Sequence, residues 1–212
     1  AVASLYPEAC QIVVRKDSDI ETIDDLQGKK VSVGEEESGS ELNARQILEM
    51  SGLPEDLIKT KHLDYTDAAD KLAAGKIDAF FFTAGAQTTV VEELAKHCDI
   101  RLLNLDDKLR GKLTTAYPFY SDYTIPAGTY TGQKEDIQTV CVQSILVASD
   151  ALDNATVKNL TKTIFAHQKG LQYATSVDLQ LNESSAIKGV PIPFHPGAAA
   201  YYSERGINVK TE

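Results

Sequence analysis

Apolar residues fall along this chain in short clusters, parted by glycine, proline and acidic turns, and the spacing inside each cluster predicts its element. The organising stretch is Lys30 to Met50. Its apolar run Val31-Ser32-Val33 stops at Gly34, and an acidic turn follows from Glu35 to Gly39. A helix is expected to open with Ser40, to carry Leu42, Ile47 and Leu48 on one face, and to close at Gly52 and Pro54. Upstream, Ile23 to Leu26 reads as a short helical turn with Thr22 as N-cap, stopped by Gly28. Thr60 to Leu63 is a weak strand, and Asp64-Tyr65-Thr66 caps a helix from Asp67 to Ala74 that ends at Gly75. Ile77 to Thr83 is a β-prone run of strand length, expected to be covered on both faces. A helix over Thr88 to Cys98, a strand over Ile100 to Leu105 and a helix over Asp106 to Tyr117, ended by Pro118, complete the series. Strand and helix alternate through residues 20–118, the pattern of an open, mostly parallel α/β sheet with flanking helices.

The flanks lack that rhythm. Ala1 to Leu5 and Gln11 to Val14 are apolar runs around Tyr6-Pro7-Glu8, read as an extended segment kinked at Pro7. Tyr120 to Thr131 has no helical period, and Ile137 to Ser149 is a long strand candidate. Asp153 to His167 is an amphipathic helix with Val157, Leu160, Ile164 and Phe165 on one side, and a second helix follows at Gly170 to Ala174. Val190 to Pro196 is extended by its prolines, Gly197 to Arg205 forms a last helix, and residues beyond Ile207 are expected to fray. No internal repeat or low-complexity tract is present.

Composition narrows the classes. With 31 acidic and 21 basic residues the net charge is −10, which argues against nucleic-acid binding and fits a solvated acidic surface. No apolar run reaches the roughly 18 residues of a membrane-spanning helix. Ala1 begins directly in a strand-like run without a basic n-region or an h-region, so the chain is expected to be a cut piece of a longer protein. Cys10, Cys98 and Cys141 show no CxxC spacing; a Cys10–Cys141 bridge and buried free thiols both fit, the thiols better.

Candidate chemistry gathers at two strand-to-helix turns. Ser38, Gly39 and Ser40 would offer backbone N–H groups and hydroxyls to a carboxylate; the plain alternative is Ser40 capping its own helix. Asn43 lies one turn in and could donate to the ligand or face solvent, while Arg45 faces elsewhere and reads as structural. Thr83, Ala84 and Gly85 end the buried strand, with Gln87 just beyond, and would lie beside the first turn in a parallel sheet; a simple glycine turn is the alternative. The histidines His62, His97, His167 and His195 have no ligand spacing and read as surface or capping residues, and no metal or cofactor site is indicated. No Ser-His-Asp order, nucleophile elbow, Walker loop or GxGxxG occurs; Cys98 and Asp78 are the reactive groups near the sheet.

Five stretches in order, SLYPEACQIVVRKDS (4–18), GKKVSVGEEESGSELNARQILE (28–49), IDAFFFTAGAQT (77–88), TIPAGTYTGQKEDIQTVCV (124–142) and PIPFHPGAAAYYSERGI (191–207), resemble the TAXI family of solute-binding proteins of tripartite, ATP-independent periplasmic (TRAP) transporters, also labelled immunogenic proteins. The resemblance implies a two-lobe, type II periplasmic-binding-protein-like fold, with ligand in the cleft between lobes and two crossing strands as hinge. It implies a signal peptide, removed on export, and roughly a hundred further residues before this chain. It implies periplasmic or other extracytoplasmic localisation, as a free protein or a membrane-associated lipoprotein. A small carboxylate or an amino acid such as glutamate is the implied ligand, and the membrane permease subunits are the implied partners. Residues 16–126 would form one complete α/β lobe, with 1–15 and 127–212 giving the hinge strands and part of a second lobe. Near the hinge, Tyr6 and Tyr130 could pack on a ligand, Glu8 could pair with an ammonium, and Thr129 lies beside them; hinge packing is the alternative for each. Family turns at Glu35–Glu37 are usually small and neutral, so three glutamates there either face solvent or mark a ligand less acidic than glutamate. The leading function is a non-catalytic binding receptor. An enzyme on the same fold and an effector-sensing domain are the alternatives.

Overall fold

The computed structural model describes residues 1–175, 177–179 and 181–212. The chain opens with strand β1 (Ala3–Arg15). A 3-10 turn at Asp24–Leu26 follows; Thr22 does not cap it, and the carboxylate of Asp25 instead accepts from the N–H groups of Glu21 and Thr22. Then come β2 (Lys30–Ser32), α1 (Gly39–Ser51), β3 (Lys59–Lys61), α2 (Tyr65–Ala73), β4 (Ala79–Ala84), α3 (Thr89–His97), β5 (Ile100–Leu102) and α4 (Asp107–Ala116). The remainder is β6 (Ser121–Ile125), β7 (Ile137–Leu146), α5 (Asn154–Ala166), α6 (Gln168–Tyr173) and α7 (Pro196–Ser203).

Side-chain oxygens set most helix starts: Asp64 caps α2, Asp106 caps α4 and Asp153 caps α5, each accepting from the N–H three residues on. Helix α1 ends where the sequence predicts, at Gly52, which takes the left-handed conformation (φ 94°).

The chain forms two compact units, Glu8–Cys141 and Ala1–Pro7 with Val142–Glu212. The pattern of alternation sets lobe boundaries near Lys16 and Pro126, whereas the units change over inside β1 and β7. The reason is pairing: Ala9–Val14 ladder onto β4 and Val13–Arg15 onto β5, so most of β1 belongs with the alternating elements. Pro7 does not kink β1 apart. Strand β4 ends at Ala84, opposite Ala9, so on that edge no donor is asked of the proline.

In the larger unit β2 pairs in parallel with β3 and β4, while β1 runs antiparallel to both β4 and β5. The four strands of the alternating region therefore share one direction. Strand β4 is buried on both faces, as its composition predicts. Phe80 and Phe82 meet Ala68, Leu72, Val91 and Leu94 of α2 and α3, and Thr83, on the opposite parity, meets α1. Burying each such phenylalanine contributes about 1.5–3 kcal/mol.

The smaller unit packs α5 and α7 over the first residues of β1. Phe165 stacks on Tyr201 at 5.4 Å, and Tyr202 donates from its phenol to Val2 O. Gly197 is required there: a Cβ at that position would strike the backbone of Asn154 and Lys158. Val157 and Phe165 are buried as predicted, but Leu160 is 41% exposed. The tail beyond Ile207 is held, because Phe194 N–H donates to Lys210 O (2.7 Å) and Val209 packs on the unit's core.

Candidate functional site

The first turn is built by a serine and a glutamate. Ser38, not Ser40, is the N-cap of α1, and its hydroxyl accepts from Glu41 N–H (3.1 Å). Glu41 reaches back to accept from Glu37 N–H (2.6 Å), a capping box shifted by one residue. The Ser-x-x-Glu spacing carries that signal in the sequence. Glu37 takes a left-handed φ of 62°, and Gly34 is forced: at φ 107°, a Cβ there would lie 3.0 Å from Ser40 Cβ and 3.1 Å from Glu41 N. The N–H groups of Gly39 and Ser40 make no hydrogen bond among the described residues, as a helix start leaves them.

The second turn is closed from far along the chain. Gln87 also takes a left-handed φ, 67°. Thr88 is the N-cap of α3 but makes no side-chain cap. The N–H groups of Gln87 and Thr88 instead both donate to the phenol oxygen of Tyr130 (3.1 and 3.2 Å), which in turn donates to Gln11 Oε1 (2.9 Å). Tyr130 and Gln11 are each 2% exposed. The neighbouring Thr131 is clamped by Glu92, which accepts from its N–H and hydroxyl and is thereby held below the usual carboxylate range.

The two turns are joined directly. Ser40 Oγ accepts from Thr83 N–H (3.0 Å) and lies 2.6 Å from the Tyr65 phenol, which also reaches Thr83 O (3.1 Å). Asn43 does not face solvent; its amide donates to Thr83 Oγ1 (3.0 Å), and its oxygen lies 2.9 Å from the Tyr120 phenol. Ser40, Asn43 and Thr83 are thus brought together by bonds to one another. Tyr65, Tyr120 and Gln11, which complete these contacts, carry no local signal in the sequence.

Of the other candidate residues, Gly85 is buried and Ala84 ends β4. The register that pairs Ala9 with Ala84 puts Glu8 opposite Gly85, and Glu8 has no ion-pair partner among the described residues. Thr129 closes a turn by donating to Pro126 O (2.7 Å). Tyr6 belongs to the smaller unit and is half-buried in β1. Leu42 is 50% exposed rather than sharing the face of Ile47 and Leu48, because five residues turn a helix by about 140°. Glu35, Glu36 and Glu37 are all exposed. A cavity of about 600 Å³ lies against this turn, and its lining includes Glu36, Glu37, Ser38, Gly39, Arg45 and His62. Arg45 is tied to Glu41 (2.9 Å).

The reactive groups have other employment. Asp78 accepts from Lys30 N–H (2.7 Å), and burial pushes the Cys98 thiol up, away from the thiolate a nucleophile needs. Cys10 and Cys141 are free and buried, their thiols pushed up to about 12 and about 11 by desolvation. His195 is a capping residue: Nδ1 accepts from Gly197 N–H (3.0 Å), which leaves the proton on Nε2 to be donated to Leu152 O (3.1 Å). Among the described residues no cluster of metal-ligating side chains occurs, and no helix is long and apolar enough to cross a membrane.

Several solved structures are similar to this chain. An ancestral arginine-binding protein bound to arginine is 17% identical, with a TM-score of 0.45 over 81% of this chain and 61% of that one. A periplasmic aliphatic sulphonate binding protein from Escherichia coli is 17% identical, with a TM-score of 0.46 over 95% of this chain and 54% of that one. A putative sulfonate ABC transporter, periplasmic sulfonate-binding protein from Methylobacillus flagellatus KT is 15% identical, with a TM-score of 0.49 over 100% of this chain and 64% of that one. The chain thus spans less than two thirds of each. The sequence model of the NMT1-like family matches residues 1–206.

Proposed function

The chain belongs to the NMT1-like family, and on that footing we propose that it is an extracytoplasmic solute-binding receptor of a transporter, holding a small carboxylate or amino acid at the start of α1. One observation carries the reading. The unpaired N–H of Gly39 stands at a cavity whose wall includes Glu36 and Glu37. Donors and carboxylates side by side suit a ligand bearing both signs: the ligand carboxylate on the helix terminus, its ammonium toward the glutamates. An α-amino acid has that pattern, and a dicarboxylate without an ammonium does not. The helix terminus supplies about 0.3–2 kcal/mol, against about 8 kcal/mol for micromolar affinity, so the ligand needs contacts beyond this turn. The free carboxylate of Glu8, at the register position of Gly85, is one such group.

The narrower assignment is to the TAXI group, with the permease of a TRAP transporter as partner; the five motifs support it. An enzymatic role would draw on Asp78 or Cys98, and the bonding of the first and the raised thiol of the second both speak against it.

Calorimetry of the full-length gene product against a panel of amino acids and dicarboxylic acids tests the ligand. Saturable binding of an α-amino acid, stronger than that of its deaminated analogue, is expected, and silence across the panel overturns the reading. Uptake into vesicles carrying the cognate permease tests the transporter class: uptake that persists without ATP supports the TRAP assignment, and an ATP requirement removes it.

A further inference from the structure

A second polar hollow, in the larger unit and away from the α1 turn, has the opposite charge character. It lies along the free edge of β5 and measures about 260 Å³. Lys16, Arg101 and Lys134 line it, and Glu135 is the one carboxylate among the described residues that do. In a chain of net charge −10 that is a local excess of positive charge. None of the three cations has an ion-pair partner among the described residues. Arg101 gives Nη2 to Ser18 O and Ile20 O, while its Nε is buried with no acceptor.

The strand edge adds neutral donors. Leu103 N–H donates to Ile12 O and Lys16 N–H to Asp99 O, and Arg101 pairs with Val14 between them. That register turns the N–H and C=O groups of Ile100 and Leu102 away from β1, toward an edge that no strand covers among the described residues. Gly132 and Gln133 form the facing wall. Oxygen-rich anions are held by this combination of cationic side chains and outward N–H groups.

The geometry points to a second binding site here, for a small molecule carrying two or more carboxylate or phosphate charges. The site is independent of the amino-acid site at α1. Its floor includes Tyr130, whose phenol closes α3, so an occupant would rest against the residue that seals that helix.

The probes are citrate and inorganic phosphate, titrated at constant ionic strength into the ¹⁵N-labelled protein while the amides of Ile100, Leu102 and Lys134 are followed. Saturable shifts centred on those amides, with a dissociation constant at or below about 1 mM for one probe, are expected. Lys16→Gln with Lys134→Gln should weaken binding at least about tenfold, and Glu135→Gln should tighten it. These positions are exposed, so the remainder of the spectrum reports that the variants fold. Non-saturating drift shared by amides across the surface means an adventitious ion only and overturns the proposal. Saturable binding that the double lysine variant leaves unchanged overturns it too.

Discussion

Helix α1 begins under a cap made of its own neighbours, Ser38 and Glu41, whereas α3 begins under the phenol of Tyr130, 42 positions beyond Thr88. Both turns contain a non-glycine residue in the left-handed region, Glu37 and Gln87, so the backbone bends alike in each. The difference lies in which N–H groups remain for a ligand. The local cap at α1 takes the N–H groups of Glu37 and Glu41 and leaves those of Gly39 and Ser40. The distant cap at α3 takes those of Gln87 and Thr88, the outermost pair. Two turns that look interchangeable in sequence therefore differ in what closes them, a neighbour at α1 and a residue far along the chain at α3.

The comparison breaks most severely at Gly34. Gly34→Ala combines a left-handed φ with contacts of 3.0–3.1 Å to Ser40 and Glu41, and should cost about 3 kcal/mol in urea unfolding while misplacing the α1 turn. Next is Tyr130→Phe, which strips the acceptor from two N–H groups and the donor from Gln11; a loss of about 2 kcal/mol is expected, with faster amide exchange at Gln87 and Thr88. Ser38→Ala removes a single cap and should cost about 1 kcal/mol. Thr88→Ala, at the matching position of α3, should cost under about 0.5 kcal/mol, because that hydroxyl makes no cap. If the two N-cap variants prove equal, the contrast between the turns is wrong.

A last refinement uses pH. The bonds from Thr131 lower the folded-state pKa of Glu92, so its contribution is present above the unfolded value of about 4.3 and is lost as pH falls through the lower folded value. Thr131→Val removes the hydroxyl donor and should flatten that acid limb, as read by urea midpoints at neutral and acid pH.

This contrast also marks what the sequence could and could not disclose. The alternation over residues 20–118 predicts the co-directional strands and flanking helices because each element is set by spacing within a dozen residues. Ser38 and Glu41 also carry a local signal, the Ser-x-x-Glu spacing, although the apolar pattern alone starts the helix at Ser40, one residue after its observed start. Tyr130, Tyr65, Tyr120 and Gln11 were not legible as partners. Their bonds to the turns and to one another span 18 to 119 positions, and nothing near them in the chain shows what they will meet. Leu42 misled for a different reason: an apolar residue next to a helix start resembles core until the angular step to Ile47 is counted.

Helices ordinarily loosen from their ends inward, one residue at a time. The start of α1 is denied that route, since the hydroxyl of Ser40 takes the N–H of Thr83 and so serves as the next rung of β4. Unravelling the first turn would orphan a strand amide. On the proposed reading, a movement that admits a solute at Gly39 carries α1 and β4 together, as a single stiff piece.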